Sequence, residues 1–192
     1  MVPVVLNQKH NLITIRGAFT REECAELVAF AENVGFSDAP INTFFGPTVV
    51  PEVRNNTRVM VDDPERASGL WKRLSTSVPT SIGRWNAVGL NERLRFYRYE
   101  PGQQFAWHYD GAFERPNGEW SKLTLMVYLN DDFDGGDTEL DVDEGHIVVR
   151  PETGMVLLFD HPIRHQGAPV LRGRKYVLRT DVMFERARKS AP

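Results

Sequence analysis

The chain has 192 residues, of which 41% are hydrophobic and 26% are charged, as is ordinary for one globular domain. Its 23 lysines and arginines against 26 aspartates and glutamates give a formal charge of −3, which argues against binding of a nucleic-acid backbone as the main function. Cys24 is the single cysteine, so an internal disulfide is excluded. The N-terminal apolar run is too short for a signal peptide, and no window approaches the length of a membrane span. We therefore expect a cytoplasmic protein that contacts neither nucleic acid nor membrane, with an oligomeric state that the sequence leaves open.

The first quarter of the chain predicts a short strand followed by a helix. Residues 12 to 15 alternate in polarity like a strand. The run TREECAELVAFAENVG then contains a capping box, with Thr20 as the N-cap and Glu23 three residues later, and Gly35 as the stop. Cys24 lies inside this helical pattern, where a buried packing role is expected.

A second helix is predicted to begin at Pro64, because proline is favoured at the first helical position. The segment between the two helices is rich in proline, asparagine and glycine at its start. It predicts a long loop that leads into a strand near residues 57 to 61.

The second half predicts an all-β core. Seven strand-like runs follow one another from Leu94 onward, separated by turn sequences such as DDFDGGD and RPETG. The runs are LRFYRY, QFAWHYD, KLTLMVYLN, DTELDV, HIVVRP, GMVLLFD and KYVLRTDVMF, with HQGAPV as a possible eighth. Eight short strands in two facing sheets are typical of a jelly roll.

The stretch FAWHYD places His108 two residues before Asp110. Residues two apart in a strand point to the same face, so an imidazole and a carboxylate would project together. His165 follows the apolar run LLFD, and Lys175 comes ten residues later. Two histidines and one carboxylate form the facial triad of non-haem Fe(II) sites. Lys175 and the hydroxyl of Tyr128 suit an anionic co-substrate bound deeper in the same interior.

Residues 94 to 185 resemble the prolyl 4-hydroxylase-like branch of the Fe(II)/2-oxoglutarate dioxygenases. The resemblance rests on the runs RFYRYEPGQQFAWHYD, LTLMVYLNDDFDGGDTEL and PETGMVLLFDHPIRHQGAPVLRGRKYVLRTD, in this order and spacing. It implies a mostly β, α+β fold with a double-stranded β-helix (jelly roll, cupin-like) core and flanking helices. It also implies one dioxygenase domain over residues 1–192, with a flank and substrate loop in 1–90 and the core in 91–187.

The resemblance assigns roles by position. His108, Asp110 and His165 would bind Fe(II), and Lys175 would pair with the distal carboxylate of 2-oxoglutarate. Arg174 is the rival for this pairing, since some relatives use an arginine one residue earlier.

Two tyrosines complete the implied co-substrate site. Tyr128 matches a family tyrosine that touches the distal carboxylate, and Tyr99 matches another that lines the same pocket, with Tyr97 as a weaker candidate. The implied cofactors are Fe(II), the co-substrate 2-oxoglutarate and O2, with ascorbate as an optional reductant.

Substrate contacts are predicted on three further segments. Polar residues of VRNNTRVMVDD precede the core as a substrate-covering loop does in the family, Trp120 ends the loop after the metal pair, and Arg179 shares the strand face of Lys175. The candidates are Arg54, Asn55, Asn56, Arg58, Trp120 and Arg179. For the first four a plain solvated hairpin is the alternative, and for Arg179 a structural pair with Asp181 or another acid. His161, which stands before Pro162, is expected at the surface.

The resemblance implies an enzyme that hydroxylates an unactivated C–H bond, most simply of a prolyl residue in a peptide or protein. A free amino acid or other small metabolite is the alternative substrate. A metal-binding or ligand-sensing jelly roll without turnover is the alternative from another class. The complete triad with Lys175 argues against an interaction domain with an inactive site.

Overall fold

The computed structural model describes residues 2–43 and 46–187. Its helices are α1 (Arg21–Val34), α2 (Pro64–Leu74) and a short 3-10 helix (Ser75–Ser77). The predicted capping box of α1 is confirmed, since the Thr20 side chain accepts from the backbone N–H of Glu23 and the Glu23 side chain accepts from that of Thr20. The predicted start of α2 at Pro64 is also confirmed.

The remaining elements are strands. In chain order they are β1 (Pro3–Asn7), β2 (Leu12–Ile15), β3 (Ser37–Asp38), β4 (Ile41–Thr43), β5 (Gly46–Thr48), β6 (Thr57–Asp62), β7 (Ser81–Ile82), β8 (Trp85–Leu90), β9 (Arg93–Tyr99), β10 (Phe105–His108), β11 (Trp120–Tyr128), β12 (Asp134–Gly135), β13 (Thr138–Val142), β14 (Gly145–Val149), β15 (Val156–Asp160), β16 (Arg164–Gly167), β17 (Val170–Arg172) and β18 (Lys175–Arg186).

Two antiparallel sheets form the core. Within the described residues the larger sheet has the order β1-β2-β15-β11-β18-β9-β6-β3, with β8 and β7 added beside β18. The smaller sheet has the order β10-β16-β13-β14. The structure confirms the predicted mostly β jelly roll with flanking helices.

The central strands of the larger sheet are buried on both faces. One face of β11 and β18, including Leu125 and Leu178, packs with Leu70 and Leu74 of α2. The opposite face, including Tyr128 and Val177, packs with residues of the smaller sheet such as Leu140. Because successive residues of a strand point to opposite faces, every second residue of these strands enters the space between the sheets.

The first 90 residues contribute strands as well as helices to this architecture. β2 pairs with β15, β6 pairs with β9, and β8 pairs with the end of β18. The predicted strand near residues 57 to 61 is thus confirmed as β6. The strand β8 was not predicted for two reasons. Gly89 interrupts its alternation of apolar and polar residues, and the turn that separates it from β7 is only two residues long.

The segment before β6 covers the open edge of the smaller sheet. Arg54 forms an isolated bridge with Phe105, and the Ala106 amide donates to the carbonyl of Val53 at 2.8 Å. The Gln104 amide donates to the Asn55 side chain at 2.7 Å. These contacts bring residues 53 to 55 beside β10.

Two predicted strands have different bounds in the structure. The run QFAWHYD forms a strand only as far as His108, and HQGAPV is divided between β16 and β17. No described helix is long and apolar enough to span a membrane.

Candidate metal centre and its two pockets

His108, Asp110 and His165 converge between the two sheets. His108 and His165 are register partners on the neighbouring strands β10 and β16, and their ring centroids are 4.2 Å apart. Asp110 lies just beyond the end of β10, with its carboxylate 3.8 Å from His108 Nε2 and 3.5 Å from His165 Nε2. One ligand atom from each residue lies within 4.8 Å of the others, a separation that suits a shared metal ion.

Both imidazoles are oriented by backbone carbonyls. His108 Nδ1 lies 2.8 Å from the Ala106 carbonyl oxygen, and His165 Nδ1 lies 2.9 Å from that of Ile163. Because Nδ1 donates in each case, Nε2 carries a lone pair directed toward Asp110. Burial and the neighbouring imidazole lower the pKa of His108 to about 3, and burial lowers the pKa of His165. Both rings are therefore in the neutral form that binds metals.

The carboxylate of Asp110 is ionised although it is buried. Burial alone would raise its pKa, but the Arg179 guanidinium, together with a hydrogen bond from Thr124, outweighs that effect and lowers it. Arg179 Nη1 lies 3.0 Å from Asp110 Oδ1, and the Thr124 hydroxyl donates to Oδ2 at 2.6 Å. Two neutral imidazoles and one anionic carboxylate make a donor set that fits Fe(II).

A hydrogen-bond network of two hydroxyl groups and one imidazole holds the Asp110 carboxylate in place. Thr124 Oγ1 lies 3.0 Å from His161 Nδ1, and His161 Nε2 lies 2.9 Å from Ser121 Oγ. His161 is buried, with 5% of its surface exposed, so its predicted surface position is wrong. The reason is that the His161 amide donates to the Lys122 carbonyl at 3.0 Å, which extends the pairing of β15 with β11 and turns the ring inward.

The inner pocket runs from the metal site to Lys175. Its lining includes Tyr97, Tyr99, Thr138, His165, Gln166 and Lys175. Lys175 is buried, and its ammonium donates to the Gly136 carbonyl at 2.5 Å. Gly136 has φ 67°, and a Cβ there would lie 3.2 Å from Lys175 Cδ, so glycine leaves room for the lysine stem. Burial lowers the pKa of Lys175 to about 7.

Arg174 points away from the inner pocket. Its guanidinium pairs with Glu100 at 2.7 Å on the exposed side of β18. The alternation of the strand therefore directs Lys175, and not its neighbour, to the interior.

The outer pocket opens on the other side of the metal site. It has a volume of about 590 Å³ and shares Tyr97, Phe105, His108, Asp110 and Arg179 with the inner pocket. Four further arginines line it, namely Arg54, Arg58, Arg93 and Arg95. The ligand triad thus lies between a narrow pocket that ends in one lysine and a wider pocket lined by arginines.

The sequence model of the 2OG-Fe(II) oxygenase superfamily matches residues 94–180, a range that contains the triad and Lys175. Over this range the chain is similar to the members of this superfamily. Prolyl 4-hydroxylase 1 of Arabidopsis thaliana is 26% identical over 203 residues, which are 91% of this chain and 69% of the relative. A PKHD-type hydroxylase of Paracoccus denitrificans is 25% identical over 177 residues, 86% of this chain and 74% of that protein.

A solved structure supports the fold of this oxygenase. The viral collagen prolyl hydroxylase of Paramecium Bursaria Chlorella virus-1, in its 2OG complex, superposes with a TM-score of 0.63 at 20% identity, covering 90% of this chain and 96% of the other. These similarities and the His-Asp-His site support a prolyl 4-hydroxylase-like 2-oxoglutarate oxygenase with Fe(II) and 2-oxoglutarate as its cofactors.

The predicted tyrosines of the oxygenase lie at different depths. Tyr99 lines the inner pocket, as does Tyr97, the weaker candidate. Tyr128 is fully buried behind the lining, and its hydroxyl donates to Thr138 Oγ1 at 2.7 Å. Thr138 therefore stands between Tyr128 and the pocket. Thr138 was not predicted, because a single threonine in a strand has no motif of its own.

The predicted substrate residues of the oxygenase divide into two groups. Arg54, Arg58 and Arg179 line the outer pocket. Asn55 is bonded to the chain before β10, and the Asn56 side chain accepts from Arg54 Nε at 2.8 Å, so both asparagines hold the covering segment in place.

Trp120 is not brought to the outer pocket. It begins β11, and its ring lies 6.5 Å from that of Trp85. The preceding loop folds back earlier, so that Phe113 lines the outer pocket in its place.

Arg179 has two carboxylate partners. Besides Asp110, it contacts Asp181 at 3.2 Å, and Arg95 approaches the same Asp181 at 3.1 Å. Both alternatives for Arg179 are thus present together, a structural pair with acids and a position in the outer pocket. Arg95 was missed because its partner is 86 residues away in the chain.

Proposed function

We propose that the protein hydroxylates an unactivated C–H bond, with His108, Asp110 and His165 holding Fe(II) and Lys175 binding the distal carboxylate of 2-oxoglutarate. The observation that carries this proposal is the position of the triad at the inner end of the outer pocket, directly beside the pocket that ends at Lys175. The most direct substrate is a prolyl residue of a peptide or protein. The names of the relatives, prolyl 4-hydroxylase and collagen prolyl hydroxylase, support it.

Each side chain has a distinct task. When bound, iron and 2-oxoglutarate would activate O2, which would supply one oxygen atom to convert C–H to C–OH and the other to oxidise 2-oxoglutarate to succinate and CO2. The two imidazoles are held in the metal-binding tautomer by backbone carbonyls, and Arg179 and Thr124 orient the Asp110 carboxylate. Lys175 offers an ammonium to a carboxylate at the closed end of the inner pocket. Tyr97 and Phe105 exclude water from the space between the pockets.

A free amino acid or other small metabolite is a second candidate substrate. The specific observation in its favour is the cationic lining of the outer pocket, since a neutral peptide segment would give Arg54 and Arg58 no counter-ion beyond those of the described residues.

The first experiment is an anaerobic titration of the metal-free protein with Fe(II) and 2-oxoglutarate, followed by the visible charge-transfer band of the chelate. We expect a band in the wild type and none in His108→Ala. Succinate formation in air, dependent on both Fe(II) and 2-oxoglutarate, then distinguishes an enzyme from a binding module. A folded, iron-binding protein that gives neither band nor succinate would refute the proposal.

The substrate is tested in the same assay. Proline-containing peptides and free amino acids are compared by the succinate they release above the level without substrate. A mass increase of one oxygen on the peptide supports the peptidyl substrate. An increase only on a free amino acid supports the second candidate.

A further inference from the structure

The outer pocket contains more cationic side chains than its carboxylates neutralise. Arg93 pairs with Asp62 at 2.9 Å near the rim, and Arg95 pairs with the buried Asp181. Arg179 lies between Asp181 and the triad. These three arginines are therefore compensated within the protein.

Arg54 and Arg58 have no ion pair with any described carboxylate. Arg54 is only 4% exposed, and its guanidinium lies between the rings of Tyr97 and Phe105, 4.5 Å and 4.3 Å from their centroids. Its Nε donates to Asn56, but within the described chain its buried Nη2 has no hydrogen-bond partner. A buried charged donor without an acceptor is costly, so the position favours an incoming anion.

Arg58 lies on the same wall of the pocket and is half-buried. Among the described residues, its guanidinium donates a long hydrogen bond of 3.5 Å to the Pro40 carbonyl. Burial and the nearby guanidinium groups of Arg54 and Arg95 lower its pKa. Like charges held together in a partly dry pocket repel one another, and a bound anion removes that repulsion.

Resting on the proposed function, we infer that the substrate carries a carboxylate, which Arg54 and Arg58 bind in the outer pocket while the carbon to be hydroxylated faces the triad. The planar guanidinium of each arginine suits two-point binding of a carboxylate. This anion is distinct from 2-oxoglutarate, whose distal carboxylate is assigned to Lys175 at the far end of the inner pocket. The two anions would have separate cationic partners, because Lys175 lines only the inner pocket and Arg54 and Arg58 line only the outer one.

A carboxylate can come from two sources, the α-carboxylate of a free amino acid or the acidic side chains of a peptide. Two matched pairs of probes separate them. The first pair is L-proline and L-prolinamide. The second is acetyl-Glu-Pro-Glu-amide and acetyl-Gln-Pro-Gln-amide. Binding is measured by calorimetry without oxygen, on protein loaded with Fe(II) and saturating 2-oxoglutarate, so that the inner pocket is already filled.

We expect the acid of at least one pair to bind about tenfold more tightly than its amide. The pair that shows this preference identifies the source of the carboxylate. Arg58→Gln and Arg54→Gln should each reduce the preference to about twofold or less, whereas Arg54→Lys should retain part of it. Arg16→Gln is the control, since Arg16 pairs with Glu152 on the exposed surface and should leave the preference unchanged.

Equal binding of acid and amide in both pairs, or no binding of either acid at millimolar concentration, would overturn the inference. A preference that persists in both glutamine variants would do so as well. If Arg54→Gln does not fold, Arg58→Gln decides, because the half-buried Arg58 side chain stacks on no ring among the residues that the structure describes.

The proposed function is tested separately in the same preparations by succinate formation in air. Selective binding of an acid without succinate supports the carboxylate site and refutes the hydroxylase. Succinate formation without any preference for acids refutes only the carboxylate site.

Discussion

The two pockets on either side of the triad differ in how their charges are arranged. The inner pocket ends in one cation, Lys175, which is buried and has a backbone carbonyl as its hydrogen-bond acceptor. The outer pocket is wider and is lined by five arginines, three of them paired with carboxylates. A single buried cation suits one end of a small ligand of fixed structure. A larger surface of partly compensated charges suits recognition of a variable ligand.

The charged residues of the two pockets also come from different parts of the chain. Lys175 and His165 lie ten positions apart and are joined through β16, β17 and the start of β18. The arginines of the outer pocket come from the covering segment, from β6, from β9 and from β18. The pair His165 and Lys175 is thus a local motif, whereas the arginines of the outer pocket are brought together from distant segments.

The strongest test of this comparison is Asp110, which both pockets share. Asp110→Ala should reduce succinate formation to background, because it removes the anionic ligand. It should also lower the free energy of unfolding by about 3 kcal/mol, because the buried Arg179 loses one of its two carboxylates.

Urea denaturation of the metal-free Asp110→Ala variant measures the change in the free energy of unfolding. Asp134→Asn, an exposed carboxylate paired with Arg172, is the control. Full activity of Asp110→Ala would show that Asp110 is not a metal ligand and that the metal site does not lie where the two pockets meet.

Lys175 tests the inner pocket alone. Lys175→Met should raise the apparent KM for 2-oxoglutarate about 100-fold, since a charge-assisted contact is lost in a buried site. Arg174→Gln should change it less than about twofold, because its guanidinium points outward to Glu100. Steady-state kinetics with varied 2-oxoglutarate measure both values. The reverse ranking would move the carboxylate contact to Arg174.

The pH dependence of 2-oxoglutarate binding is a second test of Lys175 as the partner of its carboxylate. The pKa of Lys175 is lowered from 10.5 to about 7, so above pH 7 most of the free protein has a neutral amine. Binding of a carboxylate then requires proton uptake, and the affinity should fall about tenfold per pH unit between about pH 7 and the pKa of the complex. Below pH 7 Lys175 should add no pH dependence. Calorimetry in two buffers of different ionisation enthalpy would detect the proton. Equal affinity at pH 7 and pH 9 would contradict the prediction.

The lowered pKa of Lys175 also makes the free energy of unfolding depend on pH. Between about pH 7 and 10.5 the unfolded chain binds a proton at Lys175 that the folded protein does not. The contribution of Lys175 to the free energy of unfolding therefore rises with pH across this window, and Lys175→Met should abolish that part of the slope.

The smallest expected effect concerns the support of Asp110. Thr124→Val removes the hydroxyl that donates to the carboxylate and contacts His161, and should weaken Fe(II) binding about tenfold. Ser121→Ala, one step further along the network, should weaken it less. Anaerobic titration with Fe(II) gives both affinities. An equal loss in the two variants would indicate a general disturbance of β11 instead of a specific contact with Asp110.

Local patterns predicted the elements of the fold well. The capping box of α1, the proline at the start of α2 and the seven strand-like runs all depend on residues close in sequence, and all of these elements are present, although several bounds differ. The strand β8 and the inward turn of His161 were missed. Both depend on pairing with strands far away in the chain, namely β18 and β11.

The sequence by itself determined which residue types stand at the spacing of a metal triad and that a lysine follows ten positions later. The sequence left open whether Lys175 or Arg174 enters the interior. The structure decided this, because the alternation of side chains along β18 directs Lys175 inward. The tertiary structure alone brought Arg54, Arg58, Arg95 and Asp181 together around the outer pocket. The physical reason is that a strand's alternation and a helix cap are local, whereas the pairing of buried charges depends on which distant segments the sheets bring into contact.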